Sequence, residues 1–108
     1  MSLYSDYYAE RLGKSVLEVP QGFAVYKIEE DFVYIEEIFV AKEHRKSGVA
    51  KDMADAIAHV AKLEGAKRMF GPVSVNAKNA TTSMKVLLAY GLEVSHLKDD
   101  LIVFVKDI

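Results

Sequence analysis

A short basic loop between a predicted strand and a predicted helix holds the residues best suited to chemistry, at positions 40–50. The first amides of a helix have no intrahelical acceptor, and the helix dipole adds partial positive charge there. Gly48 and Ala50 lack bulky side chains, so an anion can approach the backbone closely. The loop therefore fits a phosphate or pyrophosphate, although many helices that bind nothing also begin with small residues and surface lysines. Its cations are Lys42, Arg45 and Lys46, with Lys51 directly after it, against the single acid Glu43.

The composition limits what else this chain can be. Fourteen basic and 16 acidic residues leave a net charge of −2, which argues against a nucleic-acid binder because such domains are usually strongly basic. A length of 108 residues predicts one domain, residues 1–108. The longest apolar runs, at 86–90 and 101–105, are far shorter than the about 20 residues of a membrane span. We therefore expect neither a nucleic-acid nor a membrane partner.

Cysteine and histidine usage excludes further classes of site. With no cysteine, the chain has no disulfide, thiolate metal site or cysteine nucleophile, and a reducing, cytoplasmic setting is compatible. His44, His59 and His96 lack the spacing of metal ligands. We expect no metal.

The elements that position the basic loop follow from hydrophobic periodicity. Alternating and β-branched stretches predict six strands, and 3.6-residue spacing predicts three helices, in the order α-β-β-β-α-β-α-β-β. The fold class is α/β (an α+β mixed sheet) with two core helices, in which one strand–helix–strand unit is a parallel crossover and the hairpins are antiparallel. The predicted strands are 15–19, 23–29, 32–40, 67–75, 93–98 and 101–106, and the predicted helices are 4–12, 48 to just before Gly65, and from a cap at Asn79 or Thr81 to Tyr90.

The fourth predicted strand contains Gly71-Pro72 in its middle. Proline removes a donor from the hydrogen-bond ladder, so this strand must be unpaired on one side at that point. An edge or bulge position, or a gap between two strands, would each satisfy this.

Three motifs carry a resemblance to a known family. Arg45-Lys46-Ser47-Gly48-Val49-Ala50 fits the loop motif Q/R-x-x-G-x-G/A at every fixed position, and residues 34–40 look like the strand before it. Val75, then Asn79, then Gly91-Leu92 is similar to the module V-x-x-x-N ending in G-F. Over roughly residues 23–108 the chain resembles the GNAT N-acetyltransferases.

The resemblance implies a GNAT-like acyl-CoA N-acyltransferase fold with acetyl-CoA as co-substrate. The family holds pyrophosphate on the loop amides, pairs pantetheine with the strand before the loop, and splays two parallel strands to admit it, which would explain Gly71-Pro72. The cofactor-binding residues implied are Ile38, Phe39, Val40, Arg45, Lys46, Ser47, Gly48, Val49, Ala50, Lys51 and Asn79.

Acetyl transfer to an amine needs a base, an oxyanion site and a proton for the leaving thiolate. Glu36 and Glu37 lie on the strand beside the implied thioester. Because adjacent strand residues point to opposite faces, we expect only one of them to face the cleft and act as the base, directly or through a water. The alternative for each is a solvent-facing carboxylate.

The acid that would protonate the thiolate is harder to place. The family's helix tyrosine falls on Val86 when counted from Asn79 and on Leu87 when counted back from Gly91, and neither can donate a proton. On the same helix, Tyr90 lies about a turn away and Ser83 lies near the start. Tyr90 is the candidate, with a core or rim aromatic as the alternative.

The charge pattern bears on the acceptor. Residues 29–37 carry five acids and no base, and most of the basic cluster follows in the next ten. Such a pattern favours a cationic small-molecule or lysine-type amine on the acidic side, with a solvated hairpin as the alternative.

We therefore predict an N-acetyltransferase that acts on a primary amine by direct attack. Two alternatives are a non-catalytic CoA-binding or regulatory module on the same fold, and a ferredoxin-like interaction domain with an accidental loop match. Only 22 residues precede Phe23, fewer than family members commonly have, so we expect a trimmed acceptor half. A second subunit in a homodimer would complete it, a large acceptor would use it open, or the chemistry has been lost.

Overall fold

The computed structural model describes residues 3–108, which form a six-stranded mixed sheet with helices packed on it. The predicted order of elements is confirmed, and their bounds agree with the predictions to within two residues. The strands are β1 (Ser15–Val19), β2 (Gly22–Ile28), β3 (Phe32–Val40), β4 (Arg68–Ser74), β5 (Glu93–Lys98) and β6 (Leu101–Asp107). The helices are α1 (Leu3–Tyr7), continued by a π-helical turn (Tyr8–Leu12), α2 (Val49–Leu63) and α3 (Ala80–Tyr90), with a 3₁₀ turn at Lys42–His44.

The strands are ordered β1-β2-β3-β4-β6-β5 across the sheet. Among the strands of residues 3–108, only β3 and β4 run parallel, and α2 connects them; every other neighbouring pair there is antiparallel. This is the predicted crossover between antiparallel hairpins.

The two long helices cover the same face of the sheet. Met53 and Ile57 of α2 pack in a cluster that reaches Met69 on β4, and α3 packs in a second cluster that reaches Val73, four residues further along the same strand. Residues an even number apart on a strand share a face. Full burial of a side chain such as Ile57 stabilises the fold by roughly 1.5–3 kcal/mol, so α2 anchors the β3–β4 pair.

The parallel pair separates halfway along its length. Pairing joins Phe32–Tyr34 to Arg68–Phe70 and stops there, although β3 continues to Val40 and β4 to Ser74. Gly71 and Pro72 are the first residues of β4 beyond the paired part, and they keep their pairing with β6 on the other side. The proline therefore lies beside a gap between two strands, and neither at an edge nor in a bulge.

No helix in the described part of the chain has the length and apolar character to cross a bilayer.

Candidate acetyl-CoA site

The gap opens at the end of the sheet where two helices begin. Because β3 and β4 are parallel, their carboxyl ends lie at the same end of the sheet. The chain leaves β3 through the basic loop into α2, and leaves β4 through a turn into α3. In open α/β sheets ligands bind in the crevice outside such carboxyl ends. The predicted loop, the free edge of β3 and Asn79 are thus at one end of the molecule.

The loop presents a run of unpaired backbone amides. The first amide of the α2 region with a protein acceptor is that of Asp52, which donates to the carbonyl of Gly48 at 3.0 Å. Within residues 3–108, the amides of 46–51 have no hydrogen-bond acceptor. Such amides at a helix start, with the positive end of the dipole, suit an anion. The structure therefore places together the predicted backbone ligands of Lys46, Ser47, Gly48, Val49 and Ala50.

Gly48 occupies the N-cap of α2 with a φ of +86°, and no side chain caps the helix there. A Cβ added at this position meets nothing within 4 Å. The glycine is therefore required by its left-handed backbone and not by crowding. The space beside it is open to a ligand.

Arg45 helps to shape the loop. Its Nε donates to the carbonyl oxygen of Val40 at 3.0 Å, and its guanidinium lies 5.8 Å from the centre of the Phe39 ring. Phe39 in turn stacks on Phe23, with ring centres 5.6 Å apart. A Cβ at Gly22 would overlap the carbonyl oxygen of Phe39, so a close backbone approach holds this strand end. Arg45 thus ties the loop back to the end of β3.

The free edge of β3 follows from the gap. Ile38, Phe39 and Val40 pair with β2 on one side, and no strand among the described residues pairs with them on the side of β4. Backbone groups along such an edge can accept an added extended segment. This is the geometry that the resemblance implies for pantetheine.

Two predicted cofactor residues are placed less favourably. The Lys51 ammonium lies 2.8 Å from the Asp55 carboxylate, and the hydrogen bond between them raises the pKa of Lys51. Asn79 stands at the N-cap of α3 and accepts there through its backbone carbonyl, but its side chain makes no capping hydrogen bond. The prediction that Asn79 or Thr81 caps this helix is confirmed in position for Asn79, the observed N-cap residue.

The expectation that Glu36 and Glu37 face opposite sides is wrong. The register between β2 and β3 jumps from Tyr26–Ile35 to Val25–Glu37, so Glu36 is an extra, bulged residue. Ile35 and the next apolar residue, Ile38, both belong to the core under α2. Glu37 lies opposite Val25, and by register both are on the other face. The bulge breaks the alternation on which the prediction rested.

Glu36 lies on that same face, away from the helices. It is half-buried and forms an ion pair with Lys14 at 2.7 Å. Burial raises the pKa of the Tyr34 hydroxyl, and the negative charge of the nearby Glu36 raises it further. Tyr34 is one residue from the buried Val33, so it faces away from α2. Both acids therefore lie on the open face, and Glu36 is the one fixed by a partner.

Tyr34 is a further candidate site residue, which the sequence analysis did not name. It lines an open groove of about 840 Å³ on the sheet face away from the helices. The signal was available, since an aromatic residue two positions before Glu36 on a strand faces the same way. Other lining residues are Phe32, Phe70, His96, Lys98 and Val103.

The side chain of Tyr90, at the end of α3, lies on the helix-covered side of the sheet and does not line this groove. Its hydroxyl donates to the Asp55 carboxylate on α2, and the Lys106 ammonium lies 4.6 Å from its ring centre. Its pKa is raised by burial first and then by Asp55, which makes the hydroxyl a weaker acid. Tyr90 also touches both core clusters. The contacts are those of the rim aromatic, and its catalytic role stays a prediction without support in the geometry.

Within residues 3–108, no three His, Asp or Glu side chains come together as a metal site would require.

Comparison with known proteins agrees with this geometry. The family model described as the acetyltransferase (GNAT) family matches residues 5–83, well over half of the chain. No curated protein matches the sequence.

Several solved structures share the fold. A GNAT-family structure from Desulfovibrio desulfuricans has a TM-score of 0.79 and 18% identity, over 94% of this chain and 75% of that one. PaiA N-acetyltransferase from Thermoplasma acidophilum, solved with coenzyme A, has a TM-score of 0.78 and 12% identity over 98% and 69% of the two chains. A GNAT acetyltransferase from Elizabethkingia anophelis, solved with acetyl-CoA, gives 0.74 and 12% over 100% and 84%.

Proposed function

The chain belongs to the acetyltransferase (GNAT) family, and within it we propose an N-acetyltransferase that moves an acetyl group from acetyl-CoA to a primary amine. The observation that carries the proposal is the run of free amides at 46–51 beside the unpaired edge of β3. A pyrophosphate and an extended amide-containing arm are the two chemical parts that such a pair of features fits. Coenzyme A contains both.

The pyrophosphate would lie against the amides of Ser47, Gly48 and Val49, with the exposed Lys42 and Lys46 adding positive charge. The pantetheine arm would lie along β3 in the gap, where the edge of Ile38–Val40 is free. This orientation directs the thioester towards the bulge in β3. Structural neighbours with coenzyme A or acetyl-CoA bound support the fit of the fold to this substrate.

Glu36 is the base in this proposal. A primary amine is mostly an ammonium at neutral pH and must lose a proton before it attacks. Glu36 takes that proton, directly or through a water, and the amine nitrogen forms a bond to the acetyl carbon as the carbon–sulfur bond breaks. The nitrogen then loses its second proton to the departing thiolate or to solvent, which leaves a neutral amide. The CoA thiolate is a moderate leaving group, so it departs without a dedicated acid. Glu36 is favoured over the exposed Glu37 because it is half-buried beside Tyr34 and Lys14 holds its carboxylate in position.

The acceptor would occupy the groove on the same face as Glu36. Its lining includes Phe32 and Phe70, whose ring centres lie 5.4 Å apart in an edge-to-face contact. Three acids and three bases also line it: Asp31, Asp99, Asp107, Lys67, Arg68 and Lys98. The aromatic rings favour an amine carried on a partly apolar group, because they offer apolar contact and their faces attract a cation.

A second candidate function is CoA binding without catalysis. The observation that favours it is the helix α3, where the family's tyrosine position holds Val86 or Leu87 and Tyr90 is held by Asp55. In that case the chain would sense or carry acyl-CoA.

A thiol-release assay with acetyl-CoA over a panel of primary amines separates the two functions. The proposal predicts amine-dependent release of CoA that is lost in Glu36→Gln, while this variant still binds acetyl-CoA. Binding without release for any amine supports the second function. Absence of saturable binding at millimolar acetyl-CoA contradicts both.

A further inference from the structure

The strand β5 forms an open edge of the sheet. In the part of the chain that the structure describes it pairs only with β6, and all six of its residues are exposed. Val94 and Leu97 are 59% and 72% exposed, although by register with the core residues Phe104 and Ile102 they lie on the helix-covered face. An exposed edge with apolar side chains is a template for pairing with another strand.

A bulge gives this strand an unusual symmetry. Its register with β6 jumps from Val94–Phe104 to His96–Val103, which leaves Ser95 as an extra residue. Ser95 and His96 therefore share the face away from the helices, and the Ser95 hydroxyl lies 3.0 Å from Nδ1 of His96. The order of faces is then the same when read from either end of the strand.

The charges follow the same symmetry. Glu93 and Lys98, at the two ends of β5, both lie on the face away from the helices by register. Neither forms an ion pair within the described part of the chain. Without the bulge, residues five positions apart would point to opposite faces. The extra residue is what brings the two charges to one face.

We propose that β5 pairs antiparallel with β5 of a second copy of this chain, about a two-fold axis between Ser95 and His96. In that register Glu93 lies opposite Lys98 of the second copy, Val94 lies opposite its Leu97, and Ser95 lies opposite its His96. Directly opposite residues in an antiparallel pair share a face, and the bulge makes every one of these pairs meet this requirement. Each charged and each apolar pair occurs twice, as two-fold symmetry demands.

The pairing also bears on the groove described above. His96 and Lys98 line that groove from the β5 side. A second copy joined at β5 extends the sheet beyond them and supplies a further wall. One pair of six-residue strands buries less than the roughly 1,200–2,000 Å² of a standard stable interface. The dimer is therefore concentration dependent.

Sedimentation velocity over a dilution series of the full chain tests the proposal. The wild type is expected to shift from dimer at high concentration to monomer on dilution. Lys98→Glu places two acids opposite each other at both ends of the pair, so it should weaken dimerisation by tenfold or more. Lys62→Glu, which makes the same charge change on an exposed residue of α2, should leave it unchanged.

The charge-swapped double variant, Glu93→Lys with Lys98→Glu, is the decisive arm. It restores both opposite-charge pairs in the proposed register, so dimerisation should return to within a few-fold of the wild type. A monomeric wild type at all concentrations, an unaffected Lys98→Glu variant, or a double variant as weak as the single one overturns the proposal. Acetyl-CoA binding measured on the same samples tests the proposed function separately, because the loop at 46–51 does not depend on β5.

Discussion

The two ends of the parallel strand pair β3–β4 differ in strand pairing and in burial. At the amino end, Phe32–Tyr34 and Arg68–Phe70 are paired, and Val33 and Met69 are buried beneath α2. At the carboxyl end the same two strands are unpaired, a proline faces the gap, and the next helix begins with amides that have no acceptor.

The contrast teaches where this fold places its stability and where it places its binding capacity. Buried backbone groups normally find partners, because an unsatisfied one costs about 1–3 kcal/mol. At the carboxyl end, donors and a strand edge are left at the surface, where a ligand can use them. The paired, buried end holds them in position, so a change at each end should affect a different property.

The largest expected effect on stability is at the paired end. Ile57→Ala removes a side chain that is only 1% exposed, and should lower the free energy of unfolding by about 2–5 kcal/mol. Urea denaturation measures this. Val60→Ala, on the same helix at 40% exposure, is the matched control and should cost much less. Equal losses for the two variants would contradict the assignment of this core.

At the open end, the largest expected effect is on the rate. Glu36→Gln removes the proposed base and should lower kcat by about 10²-fold, the low end for general base catalysis. Steady-state kinetics with an accepted amine measures it. Glu37→Gln is the control beside it and should have a smaller effect. A larger loss for Glu37→Gln would transfer the role to that residue.

A smaller effect, about tenfold or more in affinity, is expected at the loop. Gly48→Leu forces a side chain into a backbone with φ of +86° and into the space next to the free amides. Calorimetry should show weaker acetyl-CoA binding. Gly13→Leu is matched, because Gly13 also has positive φ and open space around it. If both variants bind acetyl-CoA equally well, the loop assignment is refuted.

The smallest effect is expected for Tyr90→Phe. Tyr90 packs against both core clusters. Loss of the hydrogen bond to Asp55 should lower stability by about 0.5–1.5 kcal/mol, with kcat within about twofold. A large fall in kcat would instead restore Tyr90 as the acid.

The same variant should also change how the stability of the protein depends on pH in the alkaline range. The pKa of Tyr90 is raised in the folded protein, so its contribution is fully present below the ordinary tyrosine pKa of about 10 and is lost as pH rises above it. Thermal unfolding from pH 9 to 11 should therefore be less pH-dependent in Tyr90→Phe than in the wild type. An identical pH dependence in both proteins would contradict this contribution.

The sequence predicted most of the paired end and part of the open one. Alternation and helical spacing are local, so β3 and α2 could be placed from their own residues. Pro72 predicted that β4 is unpaired on one side, which is where the gap lies. The bulge at Glu36 could not be predicted, because it exists only in the register between β2 and β3. Contacts between distant positions were equally hidden, such as Tyr90 with Asp55 and Lys14 with Glu36.

Calorimetric titration of the full chain with acetyl-CoA, at two temperatures so that a heat near zero is not mistaken for absence of binding, tests the central claim most directly. The account predicts one site per chain with a dissociation constant between ~1 µM and ~1 mM, the usual range for enzyme substrates. Absence of saturable binding at millimolar acetyl-CoA would contradict the claim that the free amides at 46–51 and the open edge of β3 form a coenzyme A site.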